Sequence, residues 1–128
     1  MTEPPDGRRL FATPAGIKLA PLKAIDDGKA RGFVVQMRAG RFHGFVVRQG
    51  DDVHGYADKC PHMGLPLAQS LDAYLAPGGG LIACSWHSAL FDIRDGRCVG
   101  GPCAGQRLIP WPVSVDDGVI VTMDASAA

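Results

Sequence analysis

Residues 32–62 read GFVVQMRAGRFHGFVVRQGDDVHGYADKCPH, and this stretch decides the fold. The runs 32–37 and 41–48 are rich in β-branched and aromatic residues with a glycine between them, which is typical of consecutive strands. The residues QGDD at 49–52 predict a turn, and residues 53–57 predict the return strand of a hairpin. Cys60 and His62 follow at once. We therefore expect these two residues on the loop that leaves the last of the three strands.

The rest of the chain continues in short strand-like segments. Strands are predicted at 81–83 and 89–93, a hairpin turn at 94–97, and a last strand–turn–strand over 112–122. Residues 70–76 predict a short helical turn with Ser70 as its N-cap. The chain holds 17 Gly and 10 Pro, a combination that favours a loop-rich chain over a helical one. The sequence therefore predicts an all-β fold.

Composition predicts one globular domain over residues 1–128. The chain is 46% hydrophobic and 20% charged, with a formal net charge of zero, which argues against disorder and against a nucleic-acid surface. Residues 1–40 carry seven Lys/Arg against four Asp/Glu, whereas residues 41–128 carry six against nine. This mildly acidic larger part indicates docking onto a basic partner. Since the sequence shows no apolar leader and no run of about 18 apolar residues, we expect no membrane association and a cytoplasmic location.

Two mixed Cys/His motifs carry the chemistry. Cys60 and His62 form C-x-H, Cys84 and His87 form C-x-x-H, and 21 residues separate the two motifs. Two cysteines and two histidines are the ligands of a two-iron cluster in which the cysteines hold one iron and the histidines hold the other. The same four residue types also suit tetrahedral zinc. Zinc sites usually group Cys with Cys and His with His, so the mixed pairs favour the iron–sulfur interpretation.

The sequences CPHMGLPL at 60–67 and CSWHSALFDIRDGRCVGGPC at 84–103 resemble the signature of the Rieske [2Fe–2S] domain family. The resemblance extends from about residue 19 to about residue 121. It implies an antiparallel β sandwich or barrel-like base with a small cluster-binding lobe, at about residues 58–92, formed by two loops. It also implies one [2Fe–2S] cluster per chain, with Cys60 and Cys84 on the inner iron and His62 and His87 on the outer iron.

The resemblance also separates the branches of that family. The respiratory type has an additional cysteine in each loop, and these two form a disulfide. Neither motif here contains a second cysteine. The sequence is therefore more similar to the ferredoxin-like branch, whose potential is lower than that of the respiratory type.

The family resemblance implies a Rieske-type ferredoxin, a soluble one-electron carrier between a reductase and a terminal oxygenase or similar enzyme, and not an enzyme itself. Its partners would be these redox proteins, with no nucleic acid and no membrane. Two alternatives stay open: a small electron-transfer subunit of a larger reductase, similar to that of nitrite reductase, and a redox-sensing regulatory module. A catalytic oxygenase needs a further iron held by two histidines and a carboxylate, and after the four ligands only His43 and His54 remain.

Cys98 and Cys103 lie outside both motifs. We interpret them as two small buried thiols, with a redox pair and half of a second metal site as the alternatives. In a reducing compartment we expect all four cysteines to be ligands or free thiols and not disulfides. His43 and His54 fall on predicted strands, where we expect ordinary structural or surface histidines.

Overall fold

The computed structural model describes residues 9–10, 13–37, 40–58, 74–76, 80–84, 89–101 and 105–123. Within these ranges the regular structure is almost entirely strand, with one three-residue 3-10 turn at Leu22–Ala24. No helix in this part of the chain is long and apolar enough to cross a membrane. The strands are β1 Arg9–Leu10, β2 Lys18–Pro21, β3 Ala30–Met37, β4 Gly40–Gln49, β5 Asp52–Ala57, β6 Ile82–Ala83, β7 Leu90–Phe91, β8 Cys98–Gly100, β9 Val113–Asp116 and β10 Val119–Thr122.

Strand β4 is the centre of the first sheet. It pairs antiparallel with all of β3, from Ala30 opposite Val47 to Met37 opposite Gly40. Its other edge is shared: β1 pairs in parallel beside residues 41–42, and β5 pairs antiparallel beside residues 44–49. The three consecutive strands predicted from residues 32–57 are thus confirmed, with β3 beginning two residues earlier than predicted.

The second sheet has the order β2-β10-β9. Its hairpin between β9 and β10 turns at Asp117 and Gly118, whose φ angles are +51° and +75°. Two successive positive φ angles define the type I′ turn, which matches the twist of the flanking strands and favours Asp-Gly. The predicted strand–turn–strand over 112–122 is therefore confirmed. Strand β2 was not predicted, because a four-residue strand that ends in proline shows no alternating pattern.

The third sheet, β6-β7-β8, is made of strands only two or three residues long. Leu75 forms an isolated antiparallel bridge with Ile82, and the amide of Ala76 donates to the carbonyl of Leu81 at 2.8 Å. The predicted helical turn over 70–76 is therefore wrong for residues 74–76, because their backbone groups pair with the neighbouring strand. Residues 70–73 lie outside the described part of the chain.

Strand β4 is buried on both faces and separates two hydrophobic cores. Because side chains alternate along a strand, Phe42 and Val46 point to one core, and Phe45 and Val47 point to the other. We call the first the base core; it contains Ile25, Phe42, Val46, Ala57, Trp111 and Ile120. We call the second the lobe core; it contains Phe45, Val47, Tyr56, Tyr74, Ile82, Cys84, Ala89, Phe91, Ile93 and Leu108.

Trp111 fills the base core. Its ring lies 4.6 Å from that of Phe42 between centroids, and its indole N–H donates to the hydroxyl of Thr13 at 2.8 Å. Two glycines allow this close packing. A Cβ atom on Gly44 would lie 2.6 Å from the indole ring, and one on Gly55 would lie 2.5 Å from the carbonyl oxygen of Trp111. The glycines are therefore required by contact with the tryptophan.

Candidate iron–sulfur centre

Cys84 directly follows β6 and is 1% exposed, within the lobe core. Its thiol is free of any disulfide. The amide of Cys84 donates to the carbonyl of Ala89 at 2.9 Å, so the chain leaves at Cys84 and returns five residues later. The C-x-x-H motif is thus contained in a short loop closed by a backbone hydrogen bond. His87 itself lies outside the described residues.

The segment that carries the first motif leaves from the end of β5. Two backbone hydrogen bonds fix this point: the amide of Ala57 donates to the carbonyl of Ile109 at 2.9 Å, and the amide of Asp58 donates to the carbonyl of His43 at 2.8 Å. The hydroxyl of Tyr74 then donates to the Asp58 carboxylate at 3.1 Å. The two ends of segment 59–73 are therefore held together. Cys60 and His62 belong to this segment and lie outside the described residues.

The two loops start beside each other. The amide of Ala83, next to Cys84, donates to the carbonyl of Tyr74 at 2.9 Å. The residue that ends segment 59–73 is thus adjacent to the residue that begins the second loop. The described residues that flank the two loops, Asp58 and Tyr74 for the first and Cys84 and Ala89 for the second, are therefore connected by hydrogen bonds to one another or to the next residue in the chain.

Cys84 fits the role of a cluster ligand. The thiolate is the form that binds metal, and an uncompensated thiolate as deeply buried as this sulfur would be costly. Coordination to iron would compensate that charge, and Cys84 forms no disulfide. The donor chemistry at Cys84 is therefore consistent with the predicted cluster.

Tyr74, which the sequence did not indicate, lies beside both ends of the predicted site. It is buried and stacks on Phe45, with ring centroids 4.3 Å apart and planes 7° from parallel. A Cβ atom on Gly32 would lie 2.6 Å from the Tyr74 hydroxyl oxygen, so this glycine makes room for it. The signals in the sequence were Tyr74, an aromatic residue between the motifs, and Asp58, an acid two residues before Cys60. Their hydrogen bond forms only in the folded chain.

A second tyrosine holds the chain that returns from the second loop. The hydroxyl of Tyr56 donates to the carbonyl of Ile93 at 2.6 Å. Burial raises the pKa of Tyr56 well above its ordinary value near 10, and the negative charges of Asp95 and Asp92 act in the same direction. The phenol therefore keeps its proton, and with it the hydrogen bond, at any physiological pH.

The histidines outside the motifs lie on the base sheet, His43 on β4 and His54 on β5, and neither contributes to the lobe core. Burial lowers the pKa of His54, opposed in part by Asp52. Within the described ranges no group of three or more His, Cys, Asp or Glu side chains is placed to hold a metal ion. Of the four predicted ligands, these ranges include Cys84 alone.

Cys98 corrects the expectation for the cysteines. It lies half-buried on β8, packs against the lobe core, and is disulfide-bonded. The interpretation as a free thiol is therefore wrong for Cys98, whereas Cys84 forms no disulfide. Spacing alone could not show this, because a disulfide depends on where the fold returns the chain. Cys103 lies outside the described residues.

Most of the chain is similar to known proteins. The model of the Rieske [2Fe–2S] domain family matches residues 17–119. The ferredoxin component of the p-cumate 2,3-dioxygenase system of Pseudomonas putida is 32% identical over 105 residues, which are 80% of this chain and 82% of that protein. The sequence resemblance to the family is thereby confirmed.

Solved structures share the fold. The ferredoxin of carbazole 1,9a-dioxygenase from Nocardioides aromaticivorans IC177 matches with a TM-score of 0.65 at 23% identity, over 86% of this chain and 97% of that one. A chain in the complex of reduced oxygenase and oxidised ferredoxin in carbazole 1,9a-dioxygenase matches with a TM-score of 0.65 at 25% identity, over 83% and 90% respectively. The predicted all-β class is confirmed, and so is the prediction of an electron carrier. This chain belongs to the Rieske [2Fe–2S] domain family, as an electron-transfer protein of the ferredoxin type.

Proposed function

We propose that this chain is the ferredoxin component of an oxygenase system, which takes one electron from a reductase and delivers it to a terminal oxygenase. The observation that carries the proposal is the buried Cys84, which forms no disulfide and directly follows β6, beside the anchored ends of segment 59–73. The ferredoxin relative that is 32% identical supports the same role.

We propose Cys60, His62, Cys84 and His87 as the complete ligand set, one Cys/His pair from each loop. When bound, the cluster supplies one-electron exchange at a potential of about −150 to +300 mV. The two histidines, as neutral ligands, add no charge where two more thiolates would add two negative charges. This ligand set therefore makes uptake of an electron easier than four cysteines would.

The chain's own contribution is orientation and exclusion of water. The Cys84 amide donates to the carbonyl of Ala89, and the buried ring of Tyr74 stacks on Phe45. We infer that the histidine side is the one left for partners, so that an electron crosses a short distance between docked proteins.

The proposal takes residues 1–128 as one domain, with the cluster-binding lobe at about 58–92, and places the carrier in the cytoplasm. Fractionation of cells that produce the natural protein would test the location. Recovery outside the cytoplasm would contradict it.

The cluster is tested on protein isolated without oxygen. We expect about two irons and two acid-labile sulfides per chain, and a Rieske-type electron paramagnetic resonance signal after reduction. Stoichiometric zinc without sulfide would overturn the ligand proposal.

The partner is tested by rapid-mixing kinetics with the purified reductase and terminal oxygenase of an aromatic-ring dioxygenase system. We expect reduction by the first and reoxidation by the second, both slowed by added salt if acidic residues guide docking. No electron exchange with either protein would count against the oxygenase-system role. Co-purification with one partner in a stable stoichiometric complex would favour the alternative, a small subunit of a larger reductase.

A further inference from the structure

We propose that a cleft beside His54 and Arg94 binds a free α-amino acid with a small apolar side chain. The cleft consists of two open cavities, of about 200 and 570 Å³, that share these two residues. Sites for drug-sized ligands measure roughly 300–1,000 Å³, so the smaller cavity suits a ligand of amino-acid size. All residues that line the two cavities belong to the described part of the chain.

The cleft lies away from the cluster loops. His54 is the third residue of β5, whereas the segment that carries Cys60 and His62 leaves after that strand ends at Ala57. Because an extended chain rises about 3.3 Å per residue, His54 lies about 13 Å from Asp58 along the strand direction. The cleft shares no residue with the proposed ligand set, so its occupancy can be measured independently of electron transfer.

The cleft forms where β5 and the chain that enters β9 diverge. The amide of Trp111 donates to the carbonyl of Gly55 at 2.9 Å, and within the described ranges no further backbone hydrogen bond joins the two segments toward Val53. Val113 pairs instead with Thr122 in the second sheet. The gap is walled by four apolar residues, Val53, Pro110, Pro112 and Val113. An aliphatic side chain of the ligand removes this wall from water, which favours binding.

Two polar side chains reach the cleft without a hydrogen-bond partner in the part of the chain that the structure describes. His54 is half-buried, and its ring nitrogens form no hydrogen bond there. The backbone amide of Arg94 donates to a carboxylate oxygen of Asp92 at 2.7 Å, but its guanidinium forms neither a hydrogen bond nor an ion pair with those residues. Since partly buried polar groups are normally satisfied, this imidazole and this guanidinium are the groups that a ligand can use.

The charged groups of the cleft fit a zwitterion better than a simple anion. Asp95 lines the smaller cavity beside Arg94, and Asp52 lines the larger one. One oxygen of Asp95 accepts the backbone amide of Arg97 at 2.9 Å, which leaves its other oxygen for a cation. Two carboxylates beside a single guanidinium repel a phosphate, whereas an amino acid offers a carboxylate to Arg94 and an ammonium to Asp95.

His54 can bind either end of such a ligand. Burial lowers the pKa of His54 below its ordinary value of 6.5; Asp52 opposes this shift, and the positive charge of Arg94 adds to it. The imidazole is therefore neutral at pH 7, with one ring nitrogen that donates a hydrogen bond and one that accepts. It adds no charge to a cleft whose charged groups already match both ends of the amino acid.

Three ligands test the assignment, with amide shifts of the isotopically labelled, cluster-loaded protein read by NMR. L-leucine carries all three groups, 4-methylpentanoate lacks the ammonium, and 3-methylbutylamine lacks the carboxylate. We expect saturable shifts at Val53, Gly55 and Arg94 with L-leucine. Binding of either truncated ligand should be roughly tenfold weaker, because each loses a charge-assisted hydrogen bond. No saturable shift with L-leucine would overturn the proposal, and so would a truncated ligand that binds as well as L-leucine does.

Two variants test the residues. Arg94→Gln should weaken L-leucine binding about tenfold and leave 3-methylbutylamine unaffected, whereas Asp95→Asn should weaken L-leucine binding and leave 4-methylpentanoate unaffected. The control Arg97→Gln removes the same charge from the same turn outside the cleft and should bind L-leucine as the wild type does. Wild-type amide shifts in β3 and β4 show that each variant is folded. An unchanged affinity in Arg94→Gln, or an equal loss in Arg97→Gln, would show that the assignment is wrong.

Discussion

The base and the lobe of this molecule are stabilised in different ways. In the base, β3 and β4 pair over eight residues, and a close-packed core surrounds Trp111. In the lobe, β6, β7 and β8 are two or three residues long, and the chain is held by tyrosine hydrogen bonds and a disulfide at Cys98. The base has the longer ladders, whereas the lobe combines its own buried core with hydrogen bonds from side chains between short strands. Of the proposed ligands the described one, Cys84, lies in the lobe core, so we expect the cluster to stabilise the lobe more than the base.

The sharpest test of this comparison is Cys84→Ser. We expect complete loss of the cluster, because a serine hydroxyl is a far poorer iron ligand than a thiolate, while β3 to β5 remain protected from amide hydrogen exchange. Iron and acid-labile sulfide analysis measures the loss. The neighbouring variant Ala83→Ser adds the same hydroxyl beside the site and should keep the cluster. Full iron and sulfide content in Cys84→Ser would show that this residue is no ligand.

Removal of the metal from the wild-type protein tests directly whether the base and the lobe depend on the cluster to different extents. After treatment with an iron chelator at low pH and return to neutral pH, we expect much faster amide exchange in β6 to β8 and little change in β3 to β5, since ligand bonds contribute folding free energy where they form. Hydrogen exchange read by mass spectrometry resolves the two regions. Equal loss of protection in both would mean that the base also depends on the cluster.

Trp111→Ala tests the base. Deleting a buried tryptophan costs about 3–5 kcal/mol of the free energy of unfolding, measured by urea denaturation. Trp111→Phe is the matched control, because it keeps an aromatic ring and removes the hydrogen bond to Thr13; its loss should be clearly smaller. Below the unfolding transition both variants should still bind the cluster. A variant that is stable but cannot bind the cluster would show that the two cores are coupled.

Tyr74→Phe tests one cross-link of the lobe. It removes the hydrogen bond to Asp58 and keeps the stacked ring on Phe45, so we expect a loss of about 0.5–1.5 kcal/mol and a faster release of iron to a chelator. Tyr74→Leu, which also removes the ring, should release iron faster still. If Tyr74→Phe matches the wild type in iron release, the hydroxyl does not position the loops.

The smallest expected effect is a dependence of stability on pH that comes from His54 in the base. Burial lowers the pKa of His54 below its ordinary value of 6.5, so the unfolded chain takes up the proton first as the pH falls. The contribution of His54 to the free energy of unfolding is therefore fully present above pH 6.5, and it is lost as the pH falls through the pKa of the folded state. Urea denaturation across this range should show the decrease, and His54→Gln should reduce it. An unchanged pH profile in that variant would exclude His54 as the cause.

Much of the fold could be predicted because it follows local rules. The β-branched runs predict β3 to β5, Asp117 with Gly118 predicts the last hairpin, and strand–loop order places Cys84 directly after β6. The bond between Asp58 and Tyr74 could not be predicted, since the two residues are 16 positions apart and meet only in the folded chain. The disulfide of Cys98 could not be predicted for the same reason. The bridge between Leu75 and Ile82 could not be predicted either, because strand pairing in the folded chain overrides the local preference of residues 70–76 for a helical turn.

Strand β4 presents Phe42 and Val46 to one core and Phe45 and Val47 to the other. The base and the lobe therefore cannot be transplanted into another protein separately. Inserting or deleting one residue between Phe42 and Phe45 would turn every later side chain of the strand to the opposite face, and both cores would fail together. A lobe grafted onto a foreign scaffold would have to bring β4 and β5 with it. The portable unit for building an artificial electron carrier is therefore the entire domain, and its central strand is the part least able to change in length.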